Sequence, residues 1–175
     1  MNKSVGQLEE ILRQAVLKCL GLPDDESTSR RVCTGWLDAP EFENSEDIAF
    51  VTVTPSSDPI TRQRDTTWIP NGDGTAEYTE TGLRVMSANF VFYGPNANED
   101  AQTVRNRIQM PAAREFLMRS GIGLIIAGNE PVRIPEARDG QWWERADYSI
   151  NFNVISSYSE RIGTIESLGE IQIKS

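Results

Sequence analysis

Histidine is absent from this chain of 175 residues, and cysteine occurs only at Cys19 and Cys33. The missing histidine is the side chain that most often acts as a general base or metal ligand near neutral pH. No serine, threonine or cysteine nucleophile therefore has a histidine to activate it. Two cysteines at this spacing make no common metal site. Cys19 falls on the apolar face of a predicted helix, where a buried, reduced thiol is expected, and a reducing compartment fits. Long apolar runs are also missing, and none approaches the ~20 residues of a membrane span. The N-terminal segment carries Glu9 and Glu10 where a secretory signal would need an uncharged apolar stretch. Positive charge is scarce: 17 Lys and Arg against 26 Asp and Glu leave a net charge of −9. Such a chain is poorly suited to clamping phosphates, although it could surround nucleic acid without adhering to it.

Phosphate-cradling glycine loops are missing too. Gly72 and Gly74 sit in a polar turn, and Gly121-Ile122-Gly123 follows a helical segment instead of opening one. Glu41, Glu43, Glu46 and Asp47 lack the ligand spacing of a calcium loop. No catalytic residue, cofactor or metal is expected. Acids are numerous enough that a small carbohydrate-active or sugar-binding module stays open as an alternative; it would need a deep pocket holding two carboxylates and a tryptophan.

What is present is a clear pattern of elements. Leu8, Ile11, Leu12, Ala15, Val16, Cys19 and Leu20 recur at helical spacing, Ser4 and Gln7 form a capping box, and Gly21 with Pro23 supplies the stop. This predicts a helix over Val5 to Leu20. Arg31 to Trp36 reads as a short strand. Ile48 to Thr54 is rich in β-branched residues and apolar on both faces, as a central strand requires. The Asn-Gly and Asp-Gly steps at 71–74 predict a hairpin turn between mostly polar arms at 62–68 and 76–81, projecting from the body. Leu83 to Tyr93 is a further strand with Met86, Ala88, Phe90 and Phe92 on one face. Two helical segments follow, broken near Pro111, and then a short buried strand over Leu124 to Ala127. Gln141 to Val154 alternates most regularly. By parity Trp142 joins Tyr148, Ile150 and Phe152 inside, and Trp143 lies outside beside Arg145. The order predicts a single-domain α+β fold, a mostly antiparallel or mixed sheet packed by helices, with residues 1–155 as the domain. Residues 156–175 have little company for a core and read as an arm that docks on a neighbour.

Two constellations stand out as candidate contact surfaces. Arg62-Gln63-Arg64-Asp65 places both signs of charge on the hairpin. Trp143 with Arg145 is an aromatic and cationic pair of the kind that anchors protein interfaces.

Four segments occur in one order: Asp58-Pro59 with Arg62-Gln63-Arg64-Asp65, then Tyr93-Gly94-Pro95-Asn96, then Arg133-Ile134-Pro135-Glu136, then Gly140 to Asp147. Together with the first helix, this set resembles a family of phage neck or tail-terminator proteins over about Trp36 to Asn153. The chain differs from that pattern in carrying Ile60-Thr61 where an aromatic-Asn pair is expected, and in a longer C-terminal tail. The resemblance implies a tail-terminator-like fold and a non-enzymatic virion protein assembled in the host cytoplasm. It further implies a six-fold ring that ends the tail tube and meets the head connector, with DNA passing through its lumen. Partners would be the chain itself, the tail tube protein and a connector or neck protein, without a membrane. A different neck or tail-completion ring is the near alternative.

Overall fold

Ser4 opens the first helix, its Oγ accepting the Gln7 N–H at 3.2 Å while the Gln7 Oε1 accepts the Ser4 N–H at 2.9 Å. In the computed structural model, which describes residues 2–35, 41–125, 128–138 and 140–163, α1 spans Val5–Leu20. It ends at Gly21, whose φ of 74° lets its N–H turn back to the last turn, with the Leu22 N–H reaching Leu17 O at 2.9 Å. Arg107, in the last turn of α2 (Ala97–Arg107), donates to the Cys19 carbonyl at 3.0 Å and so satisfies one of the orphan acceptors of α1. Pro111 starts α3 (Pro111–Arg119).

Among the described residues the sheet has seven strands, with a central order β1 (Val32–Thr34), β2 (Ile48–Pro55), β4 (Thr75–Tyr93), β9 (Arg145–Gly163) and β5 (Gly123–Ile125). β1 runs parallel to β2 and the other pairs are antiparallel. β3 (Arg64–Pro70) pairs with the outer part of β4, and β6 (Val132–Arg133) pairs with β9. β7 (Glu136–Arg138) and β8 (Gln141–Trp143) form a separate two-stranded sheet.

One face of the sheet carries the main core. Rows such as Val51, Phe90 and Tyr148 lie side by side across β2, β4 and β9, and the Phe90 and Tyr148 rings stack at 5.9 Å. α1, α2 and α3 pack there through Leu8, Leu12, Ala101, Val104, Ala113 and Leu117. Beyond the last residue paired with β1, the exposed edge of β2 is closed by Glu9, whose carboxylate accepts the Val53 N–H at 3.0 Å. The opposite face bears a smaller cluster of Ile48, Phe50, Val91, Tyr93 and Trp143, with Phe42 packed against it.

The expected elements appear with several changes of extent. The hairpin's second arm and the strand over Leu83 to Tyr93 are one strand of 19 residues, because Gly82 sits inside an unbroken ladder. β9 likewise has 19 residues and runs through Ser156 to Gly163, so the first eight residues of the expected C-terminal arm are strand; 164–175 lie outside the described residues. The strand expected over Leu124 to Ala127 is β5, half-buried, and 126–127 are outside the described residues. Of the strand expected over Arg31 to Trp36, Val32–Thr34 is formed, and Trp36 lies outside them as well. The period-two run over Gln141 to Val154 is broken at Glu144, which separates β8 from β9.

Leu12 is fully buried between α1 and the sheet. Leu12→Asp should cost about 4 kcal/mol or more, since it strands a charge in that core. Leu12→Ala should cost about 2–5 kcal/mol and keep the fold. Urea unfolding followed by circular dichroism checks both; equal midpoints for Leu12→Asp and the native chain would contradict the packing.

Candidate assembly surfaces

β3 and the outer halves of β4 and β9 extend past the helices as a three-stranded arm. Their register places Arg64, Gly82 and Ser156 in one row at its base, and Pro70, Ala76 and Ile162 in one row near its tip. The tip loop is held by Asp73, which accepts the Thr75 N–H at 3.1 Å and the guanidinium of Arg161. One face carries hydroxyls in rows, with Thr79 and Ser159 at 2.8 Å and Thr81 and Ser157 at 3.1 Å. The other face continues the core face beyond the helices and presents Trp68, Tyr78 and Tyr158. Trp68 is 52% and Tyr158 60% exposed. Every residue of β3 is exposed. Such an edge presents backbone N–H and C=O groups without a strand partner, with Trp68 and Ile69 beside them.

Arg62, Gln63, Arg64 and Asp65 lie at the base of this arm. Arg62 ends a short 3-10 turn at Pro59–Arg62 that Asp58 caps by accepting the Ile60 N–H at 2.9 Å, and Gln63 closes it. Arg64 lies across Gly82, where a Cβ would come within 2.6 Å of its Nη1, and it pairs with Glu80 at 2.9 Å. Asp65 has no side-chain partner among the described residues.

Trp143 and Arg145 are elsewhere. Arg145 stands opposite Tyr93, eleven positions along β4 from Gly82, roughly 35 Å away at strand rise. The structure does not bring the two predicted constellations together. It also reverses the expected tryptophans: Trp143 is 8% exposed and Trp142 is 72% exposed. Trp143 keeps the parity of Arg145 and lies on its face with Tyr93, but that face is covered by a second aromatic cluster instead of water. The strand breaks at Glu144, whose carbonyl accepts the Gly94 N–H at 3.2 Å, and Trp142 is left outside the main core. β8 pairs with β7, and Trp143 turns onto the back face of the main sheet against Phe42, at 5.4 Å and 88°. The cation over Trp143 is Arg138 at 5.2 Å, not Arg145.

Arg145 is committed inside the chain. It makes two 2.7 Å hydrogen bonds to Asp147 and one of 3.2 Å to Glu136, which also accepts the Tyr93 hydroxyl at 2.9 Å. Burial, reinforced by the Glu136 bond, pushes the Tyr93 phenol up to about 12. The residue available for contact at this end is Trp142, with Val132 and Ile134 also exposed.

The acidic loop is engaged locally. Asp47 accepts the Asn96 N–H at 2.8 Å and its amide at 2.9 Å, and Glu46 accepts the Glu43 N–H at 2.9 Å. A cleft of about 410 Å³ beside them is lined by Arg30, Arg31, Phe42, Glu46 and Asp47, and Arg31 is ion-paired with Asp100. Burial pushes the Cys19 thiol up to about 11 and raises that of Cys33, the opposite of an activated nucleophile.

Residues 6–175 match the sequence profile of a family described as phage neck terminator protein. The chain belongs to the phage neck terminator family. Among curated proteins, none matches it. The match covers nearly the whole chain, including the four segments that carry the resemblance, and it makes this protein a structural component of the phage neck. The family is not a known enzyme class, and its place is in the virion in contact with other head or tail proteins. No helix among the described residues is long and apolar enough to cross a membrane.

Sequence reasoning missed the β7–β8 ribbon and the exposed arm residues Trp68, Ile155 and Tyr158. Thr-Thr-Trp-Ile in β3 is a strong β-forming run that could have marked the arm as more than a polar hairpin.

Trp143→Ala should cost about 3–5 kcal/mol, and Trp142→Ala no more than about 0.5 kcal/mol. Denaturant midpoints of the two variants check the inversion. Tyr93 and Tyr148 are both raised to about 12 from 10.0, mainly by burial. Between those values the unfolded chain has lost protons that the folded chain still holds. Stability present below pH 10 should therefore fall as pH rises toward 12. Thermal midpoints across that range test it; a flat profile would contradict the burial of these phenols.

Proposed function

We propose that this neck protein forms a closed ring, most simply six-fold, that ends the tail tube and presents a surface to the head connector. The observation that carries the reading is the separation of two unlike exposed surfaces along one continuous sheet: the arm with Trp68, Tyr158 and Arg62 to Asp65, and the far end with Trp142, Val132 and Ile134. Head-to-tail contacts that close into a ring need two different patches on each subunit. Aromatic and branched apolar groups of this size, left open to water, favour occupation by a partner. Trp143 and Arg145 hold the far surface in shape from within, and Trp142 makes the contact. The net charge of −9 suits a lumen that DNA traverses without adhering. The tail tube protein and a connector protein are the neighbours above and below, and residues beyond 163 serve as a docking arm.

Electron cryo-microscopy of the virion tests this. The protein should form one ring between the last tube ring and the head connector. In its absence, tails should fail to join heads. Absence of the protein from finished particles would remove the reading, and a position inside the head or at the tail tip would replace it.

A further inference from the structure

The arm has two free edges. β3 pairs only with β4, and β9 beyond Asn153 pairs only with β4 among the described residues. At its base the β9 edge is blunted, because Asn2 Oδ1 accepts the outward Ser157 N–H at 2.8 Å. Past Ser157, as far as Gly163, no other described strand pairs with it. The exposed hydrophobics of the arm lie on the two strands that form these edges: Trp68 and Ile69 on β3, Ile155 and Tyr158 on β9.

We propose that the arms of adjacent copies join edge to edge, β9 of one copy pairing in parallel with β3 of the next. The inference rests on the ring reading and specifies its contact. β3 and β9 both run outward from the body, each being antiparallel to β4. Neighbouring arms in a rotational ring point the same way, so their facing edges are parallel.

Charge selects the register. β3 begins Arg64-Asp65, and the open part of β9 carries Glu160-Arg161. Asp65 and Glu160 have no side-chain partner among the described residues; Arg64 and Arg161 each have one acid, Glu80 and Asp73. One parallel register sets Arg64 beside Glu160 and Asp65 beside Arg161. It also respects the faces. Through Gly82 and Tyr78 on β4, Arg64 and Glu160 share the aromatic face, and through Thr81 and Glu77, Asp65 and Arg161 share the hydroxyl face. An antiparallel junction with matched faces satisfies only one of these pairs. Two-fold pairing of β3 with β3, or of β9 with β9, cannot set Arg64 beside Asp65 or Glu160 beside Arg161, because adjacent residues point to opposite faces. The register is staggered toward the tip, as a sheet closing into a barrel requires, and among the described residues it sets 64–67 beside 160–163, beyond the Asn2 block.

Asp65→Lys and Glu160→Lys test the junction, since neither acid loses a partner within its own chain. Each full-length variant is supplied to a phage whose own copy of the gene is inactivated, and tail-joined particles are counted. Both reversals should lower the yield roughly tenfold or more, because the mismatch repeats at every contact. Their urea midpoints should match the native chain. In addition, Asp65→Cys with Arg161→Cys, placed in a Cys33→Ser background and treated with a short bismaleimide in purified particles, should give a ladder of multimers. Each single cysteine should give none. If only one reversal lowers the yield, the register or direction is wrong. If neither does and no ladder forms while the protein remains in the particles as a ring, the arms are not the contact and the ring reading stands. If the protein is missing from native particles, the ring reading itself fails.

Discussion

The pairing of β4 with β9, unbroken from Thr75↔Gly163 to Tyr93↔Arg145, is the constraint on which the rest depends. One half of this ladder builds the core and the other half builds the arm. The two cannot shift relative to one another without changing register everywhere at once. A slip of one residue would turn either Phe90 and Phe92 or Tyr148 and Phe152 away from the helices, so the core fixes the alignment of the arm as well. The arm, which has little apolar cover of its own, takes its geometry from packing elsewhere in the molecule.

Much of this was legible in the sequence. The α1 boundaries, capping box and glycine stop follow from local chemistry that needs no tertiary partner. β2 and the inner half of β4 announce themselves by burial on both faces or by strict alternation. The errors fall where a local rule meets a non-local one. The sequence pattern separates the hairpin arm over 76–81 from the strand over Leu83 to Tyr93, with Gly82 between them, yet a glycine inside a paired ladder does not end it when strands on both sides hold it. Parity places Trp143 on the face of Arg145, where it lies, but nothing local shows that Phe42, Phe50 and Tyr93 cover that face and bury it, or that Trp142 is left outside the core.

The candidate surfaces were legible in part. Charge at Arg62 to Asp65 marked a region that the structure places on the arm, but nothing local could show that Glu160 and Arg161 lie on the same arm two strands away. Arg145, which resembled an interface anchor, is held by Asp147 and Glu136 in a network that also takes the Tyr93 hydroxyl. Side chains of the same type divide between holding a surface and presenting it, and their partners decide which. Phage neck terminators must do both, because a neck subunit keeps its shape while it is gripped by other proteins.

The shared ladder also has a mechanical consequence. Tension applied along the arm loads the rungs between β4 and β9 together, in shear, so no single hydrogen bond bears the load alone. A sideways pull at the tip opens the rungs one after another, beginning beside the loop that Arg161 and Asp73 clasp. The arm therefore resists a pull along its strands more than a pull across them, and peeling from the tip meets that clasp first.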